Sequence, residues 1–237
     1  MLASAQRIMS LEWHNGHKYG SEKPVITTID DIKAFAMSCF SNARGSHDWD
    51  HTQRVYNLCM HIGKAEGADL EVLEIAAYLH DVGRSHEDAS KGGICHAQKG
   101  ADMARELLAA YPVSETQRVN IIRAIRSHRF RGNHQPETLE AKVLFDADKL
   151  DAIGAVGVGR AFLFAGEVGA KLHNPCIQLE DTRPYTEEDT GYREYKLKLS
   201  KIKDRMLTGE GRRLAEERHA FMKTFFQRLT QEHEGHK

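Results

Sequence analysis

No apolar run in this chain approaches the roughly 18 residues that a membrane-spanning helix requires, so a helical membrane protein is excluded. The opening stretch MLASAQRIMSLEWHNGHKYG carries an Arg, a Glu, a Lys and two His where a secretory signal needs an apolar core, and no export is expected. The cysteines Cys39, Cys59, Cys95 and Cys176 are far apart and form no CxxC pair. A chain of this size does not depend on covalent staples, so reduced thiols in a cytoplasmic protein are expected. Excess charge is missing too: 33 Lys and Arg against 34 Asp and Glu leave a net charge of −1. That balance gives no global pull toward nucleic acid or an anionic membrane, and no specific partner of either kind is expected. No segment alternates apolar and polar residues as a half-buried strand does, and no internal repeat is visible. GAVGVG after Asp151 follows no strand and lacks the GK[ST] of a phosphate loop, so its small residues are read as close helix packing.

What remains is helix after helix. With 237 residues, 41% hydrophobic and 28% charged, the chain fits one globular core with appendages. Residues 1–26 show no sustained periodicity and read as an arm or disordered tail. A core over residues 27–170 begins with a helix at about Ile29–Phe40. A second, capped by Ser46, carries His51, Val55, Leu58 and Ile62 on one stripe and ends at Gly67. Asp69 caps a third, LEVLEIAAYLHD, expected to run to Gly83. HAQKGADMARELLAAY forms a fourth. Ser114 with Gln117 makes a capping box that opens a fifth, through about His128, followed by the loop RFRGNHQP. TLEAKVLFDADKLDAIGAVGVGRAFLFAG supplies one or two long buried helices. Residues 171–237 hold a lid-like irregular loop, KLHNPCIQLEDTRPYTEED, and two helices at about Tyr192–Leu207 and Gly211–Leu229 that pack on the same domain. The expected fold class is all-α.

Chemistry enters where His and Asp interrupt the apolar stripes. His80 and Asp81 directly follow the buried run Ile75–Leu79, and His51, one turn before Val55, faces the same core. Asp146, Asp148 and Asp151 sit in the otherwise apolar VLFDADKLDAIG, where three acids repel one another without a cation or donors nearby. A single core histidine is ordinarily satisfied by hydrogen bonds, an isolated His-Asp pair ordinarily caps a helix, and acids in DADKLD can pair with Lys149. Those explanations do not cover all the groups at once. A divalent cation does, since it offsets the burial of imidazole and carboxylate together. Two neutral imidazoles and two carboxylates suit Mn²⁺, Fe²⁺, Co²⁺, Ni²⁺ or Zn²⁺ and leave positions for water and a phosphate oxygen. Arg54, Arg84 and Lys149 are the cations nearest these groups in sequence and are candidate phosphate clamps. On a helix Asp148 and Asp151 share a face, whereas Asp146 lies about 200° around from Asp148.

SHDWDHTQRV, AAYLHDVGR and AKVLFDADKLDAIGA together resemble the HD-domain superfamily, whose signature is H…HD…D, over about residues 28–169. The resemblance implies metal ligands at His51, His80, Asp81 and Asp148, the last placed by the ADxL core rather than at Asp146. Asp151 is then an acceptor for a ligand imidazole or for an Arg or Lys. It also implies Mn²⁺ as the first candidate, with Mg²⁺, Co²⁺, Ni²⁺, Fe²⁺ or Zn²⁺ as alternatives. Hydrolysis of a phosphoester or phosphoanhydride follows, in a nucleotide or related small phosphorylated substrate, with Asp81, His80, His96 and His128 catalytic. His96 and His128 match positions that hold a second metal in members with extra histidines and that contact phosphate in others. A second metal and a homodimer both stay open. Three rivals carry less. A cyclic-nucleotide or dinucleotide phosphodiesterase lacks its GYP motif here, a di-iron oxygenase rests on His96 and His128 alone, and a non-catalytic binding module sits badly with an intact ligand set.

Overall fold

The computed structural model describes residues 26–40, 49–129, 134–175, 178 and 181–237. The expected arm over residues 1–25, the Ser46 cap, the centre of RFRGNHQP and Cys176 lie outside them. Among the described residues every regular element is helical: α1 Ile29–Cys39, α2 Trp49–Glu66, α3 Leu70–Leu79, α4 Arg84–Ala89, α5 His96–Leu107, α6 Glu115–Ser127, α7 Leu139–Asp151, α8 Gly154–Glu167, α9 Gly191–Leu197 and α10 Gly209–His233. None is long and apolar enough to cross a membrane. Ile26, assigned to the arm from sequence, is buried. Cys39, Cys59 and Cys95 are free thiols.

The starts follow capping chemistry. Thr28 and Asp31 form a capping box on α1, and Ser114 and Gln117 form the expected one on α6. The Asp69 carboxylate accepts from the Glu71 and Val72 amides to open α3. Gly67, at φ +76°, ends α2 in the left-handed region that glycine enters without strain. Helix α3 buries Val72, Leu73, Ile75, Ala76, Ala77, Tyr78 and Leu79, too much of its circumference for a surface helix. It packs between α2, α6 and α7, with α1 against it and α5 on α6. Each fully buried Leu, Ile or Val of such a helix contributes about 1.5–3 kcal/mol.

Two elements differ from the sequence expectation. Helix α3 stops at Leu79, so His80 is its C-cap and Asp81 lies in the following turn, and the short helix α4 begins at Arg84. The C-terminal pair is also redrawn. Lys198 leaves the helical region at φ −132°, so α9 ends at Leu197 and two short 3₁₀ turns, 199–201 and 203–205, replace the continuous helix. The break turns Leu199, Ile202 and Met206 into the core. One apolar cluster runs from Ile32 through Val55, Leu79 and Leu144 to Met222 and Phe226, so α10 closes the same core that α2, α3 and α7 form.

Candidate metal centre

The site is built from helix ends. His51 is the third residue of α2, His80 caps the C-terminus of α3, Asp81 follows it, His96 opens α5, His128 caps the C-terminus of α6, and Asp148 lies in the last turn of α7. Gly83 brings α5 to the His80–Asp81 turn. A Cβ at Gly83 would stand 2.3 Å from the His96 carbonyl oxygen and 2.7 Å from the Gly100 nitrogen, so only glycine permits this backbone contact.

The four imidazoles face one another around Asp81. His51 and His80 ring centroids are 5.3 Å apart, His80 and His128 5.1 Å, and His96 and His128 5.3 Å. All four rings are buried, as is Asp81. His51, His80 and Asp81 each offer a ligand atom within 4.8 Å of the others, and Asp81, His96 and His128 do the same. Asp81 Oδ2 is 3.9 Å from both His51 Nε2 and His80 Nε2, while its Oδ1 is 3.4 Å from both His96 Nε2 and His128 Nε2. Asp148 Oδ1 joins the first group, 3.4 Å from His51 Nε2.

Each ring has its other nitrogen occupied. Nδ1 of His51 meets Asp151 Oδ2 at 2.8 Å, Nδ1 of His80 meets the Ala77 carbonyl at 2.7 Å, and Nδ1 of His128 meets the Ile125 carbonyl at 2.6 Å. Nδ1 of His96 meets the Glu87 carboxylate. These partners can only accept, so Nδ1 carries a proton in all four and every Nε2 points inward. His51 Nε2 and His80 Nε2 then face each other at 3.3 Å, a pairing that calls for a proton or a cation between them. The donor set, imidazole nitrogens and carboxylates with outer partners in place, fits a divalent transition metal.

Charge is distributed accordingly. Arg54 places Nε 2.6 Å from Asp151 Oδ1 and Arg160 places Nη1 2.7 Å from its Oδ2. Arg129 Nη2 is 2.8 Å from Glu87 Oε1. These arginines neutralise the outer carboxylates Asp151 and Glu87. Burial alone would raise Asp81, but His80, His128 and Arg84 hold it well below the carboxylate range. Burial likewise opposes ionisation of Asp148, and Lys149 and His51 outweigh it, keeping Asp148 well below that range. Burial pushes His80 down to about 4 against the pull of Asp81. It pushes against His51 too, but hydrogen bonds to Asp148 and Asp151 lift that ring to about 9. At neutral pH the ring of His51 therefore keeps its second proton.

The sequence-predicted residues divide by place. His51, His80 and Asp81 come together with Asp148 beside His51, and His96 and His128 meet the other oxygen of Asp81. Arg84 Nη2 lies 3.2 and 3.0 Å from the two Asp81 oxygens, and Lys149 Nζ lies 2.6 Å from Asp148 Oδ2. Arg54, expected as a phosphate clamp, has its guanidinium on Asp151. The three acids of DADKLD separate: Asp148 keeps 17% of its side chain exposed, Asp151 backs His51, and Asp146 faces α10. Sequence reasoning missed Glu87, Arg129 and Arg160. The acid in RSHEDA looks like an ordinary surface residue until α4 is known to exist.

The chain belongs to the HD domain family. The family's model matches residues 48–153. The chain is 33% identical over 211 residues to YpgQ of Bacillus subtilis, covering 87% of this chain and 94% of that protein. The crystal structure of B. subtilis YpgQ in complex with ADP superposes with a TM-score of 0.67 at 32% identity, over 86% of this chain and 97% of that one. A predicted HD-superfamily hydrolase from an uncultured Thermotogales bacterium gives a TM-score of 0.63 at 30% identity, over 86% and 91%. A shorter match, 27% identical over 121 residues, reaches ribonuclease Y of Chloroflexus aurantiacus and covers 51% of this chain but 21% of that protein. The family supports metal-dependent hydrolase chemistry.

Proposed function

We propose that the protein hydrolyses a phosphoester or phosphoanhydride bond of a nucleotide or related small phosphorylated substrate, using a divalent metal with Mn²⁺ as the first candidate. The observation that carries this reading is the convergence of four inward Nε2 atoms on the two oxygens of one buried carboxylate, Asp81. His51, His80, Asp81 and Asp148 would hold one ion, and Asp81, His96 and His128 fit a second. A cation so placed lowers the pKa of a water and neutralises charge on phosphoryl oxygens.

The chain's own residues supply the rest. Arg84 and Lys149 rest on Asp81 and Asp148, the two carboxylates an ion would take, so ion binding releases both toward a phosphate. Arg54 stays behind the site as a holder of Asp151. Burial of the four rings excludes bulk water, which strengthens every charge interaction inside. Nucleotide as the substrate class draws support from the ADP complex of YpgQ.

The test is a panel of nucleoside mono-, di- and triphosphates, a cyclic nucleotide and a short RNA. Each is offered to protein loaded in turn with Mn²⁺, Mg²⁺, Co²⁺ and Zn²⁺, with products resolved by chromatography. Release of phosphate or pyrophosphate that disappears in His80→Ala is expected. Activity confined to the cyclic nucleotide or the RNA, or none above His80→Ala, would overturn the reading.

A further inference from the structure

Glu87 is a buried carboxylate on α4 with no part in the ligand signature. Its Oε2 takes Nδ1–H of His96 and lies 3.5 Å from Arg84 Nη1, and its Oε1 lies 2.8 Å from Arg129 Nη2. Position along the helices explains why His96 needs such a partner. His80 and His128 cap helix C-termini, where the carbonyls of the last turn lack intrahelical donors, and each ring takes the carbonyl three residues earlier. His96 is the first residue of α5 and His51 the third of α2. At helix N-termini the orphan backbone groups are N–H donors, useless to a ring that must donate. An accepting side chain has to come from elsewhere in the fold. Asp151 does this for His51, steadied by Arg54 and Arg160, and Glu87 occupies the corresponding place for His96, steadied by Arg84 and Arg129.

We propose that Glu87 is the positioning residue of the His96 half of the site. It fixes the tautomer that aims Nε2 of His96 at Asp81, and so makes the Asp81–His96–His128 triad able to take a cation. The inference rests on the metal-centre reading but not on the hydrolytic one. Replacing the carboxylate by an amide removes one acceptor oxygen and adds two donor hydrogens. Two arginines then compete with His96 for the remaining oxygen, and the NH₂ group turned toward Nδ1 favours the opposite tautomer, with Nε2–H pointing at Asp81.

Two readouts, neither of them turnover, test this. Ring nitrogen NMR of the metal-free wild type should show His96 protonated at Nδ1 and bare at Nε2, and Glu87→Gln should move that proton to Nε2. Calorimetric titration with Mn²⁺ should show two equivalents in the wild type. In Glu87→Gln the second should weaken by about 10- to 100-fold while the first changes less than about twofold. Glu87→Asp, which keeps the charge and retracts it by one methylene, should lie between the two. A wild-type His96 carrying Nε2–H, a single equivalent of Mn²⁺ in the wild type, or an unchanged second affinity in Glu87→Gln would each overturn the proposal. The wild-type spectrum decides even if the variants do not fold. Failure of the substrate panel with both readouts as expected would fall on the hydrolytic reading alone.

Discussion

The two sides of Asp81 present the same ligand chemistry on different scaffolds. On one side His51 and Asp148 stand on α2 and α7, long helices packed directly against each other, and the outer partner Asp151 lies one turn beyond Asp148 on the same face. On the other, His96 and His128 sit at the ends of α5 and α6, and the outer partner Glu87 comes from the six-residue helix α4. The first side is fixed by interhelical packing in the core. The second depends on the backbone contact at Gly83 and on one short helix. An ion-binding half built on packed helices is preorganised at little additional ordering cost, whereas one hung on helix ends is easier to retune. Changes on the His51 side should therefore be the most damaging.

The largest effect is expected at Asp148. Asp148→Ala removes a proposed ligand of the first group and leaves Lys149 and His51 without the carboxylate they share. Metal content should fall by one equivalent and metal-dependent phosphate release should vanish, with circular dichroism unchanged. Asp151→Asn should act through His51. The amide cannot accept from Nδ1–H and from two arginines together, and metal affinity should drop by more than in Glu87→Gln, toward the upper end of the about 10- to 100-fold range usual for an outer partner of a ligand imidazole. Equal losses for Asp151→Asn and Glu87→Gln on their own sides would show that the scaffold difference does not matter.

A smaller, graded effect follows from His51. Its pKa in the fold is raised to about 9, so the bound proton stabilises the metal-free protein. That contribution is fully present below the ordinary imidazole pKa and is lost as pH rises through about 9. A metal ligand must give the proton up, so ion binding shows the opposite trend. Uptake of Mn²⁺ at pH 7 should release about one proton, and apparent affinity should rise by about tenfold per pH unit toward pH 9. Indicator measurements in weak buffer at pH 7 and pH 9.5 check both. Release of no proton at pH 7 would place the ring's pKa near its unperturbed value.

The contrast also explains what could be read in advance. His51, His80, Asp81 and Asp148 stood out because each breaks an apolar stripe whose period is strong enough to fix its direction. The caps at Asp69 and at Ser114–Gln117 are equally local and equally visible. Glu87 and Arg129 were hidden because their partners are set by how α4 and α5 meet, and that depends on Gly83 touching the His96 carbonyl. Arg54 looked like a clamp because it is near His51 in sequence. Its actual acceptor, Asp151, is 97 positions away. The break at Lys198 was missed for a related reason: α9 and the turns after it are shaped by the core they fill more than by helical periodicity.

The smallest effect on metal is expected at Asp146, two residues before the proposed ligand. Its side chain is fully buried on the far face of α7 and accepts from the Leu207 amide at 2.9 Å, the Thr208 amide at 2.8 Å and the Thr208 hydroxyl at 2.7 Å. Thr208 is the N-cap of α10, so this carboxylate meets the positive end of that helix and ties the C-terminal segment to α7. The approach is close enough that a Cβ at Gly211 would stand 2.3 Å from Asp146 Oδ2. In Asp146→Asn one accepting oxygen becomes an NH₂ group facing N–H donors, which costs about 1–3 kcal/mol when buried. Part of that is offset, because burial raises the Asp146 pKa against the hydrogen bonds of Thr208 and Leu207, and a neutral amide escapes the desolvation. A net loss of about 1 kcal/mol should lower Tm by roughly 2–4 °C in a protein of this size. Metal affinity should move by less than about twofold. Gly211→Ala should strain the same contact from the α10 side and again leave the metal in place. If Asp146→Asn instead stripped the metal while Asp148→Ala retained it, the ligand on α7 would be two residues earlier. Asp146 would then have to turn from the α10 side of α7 to the histidines, which would require unlocking the C-terminal helix first.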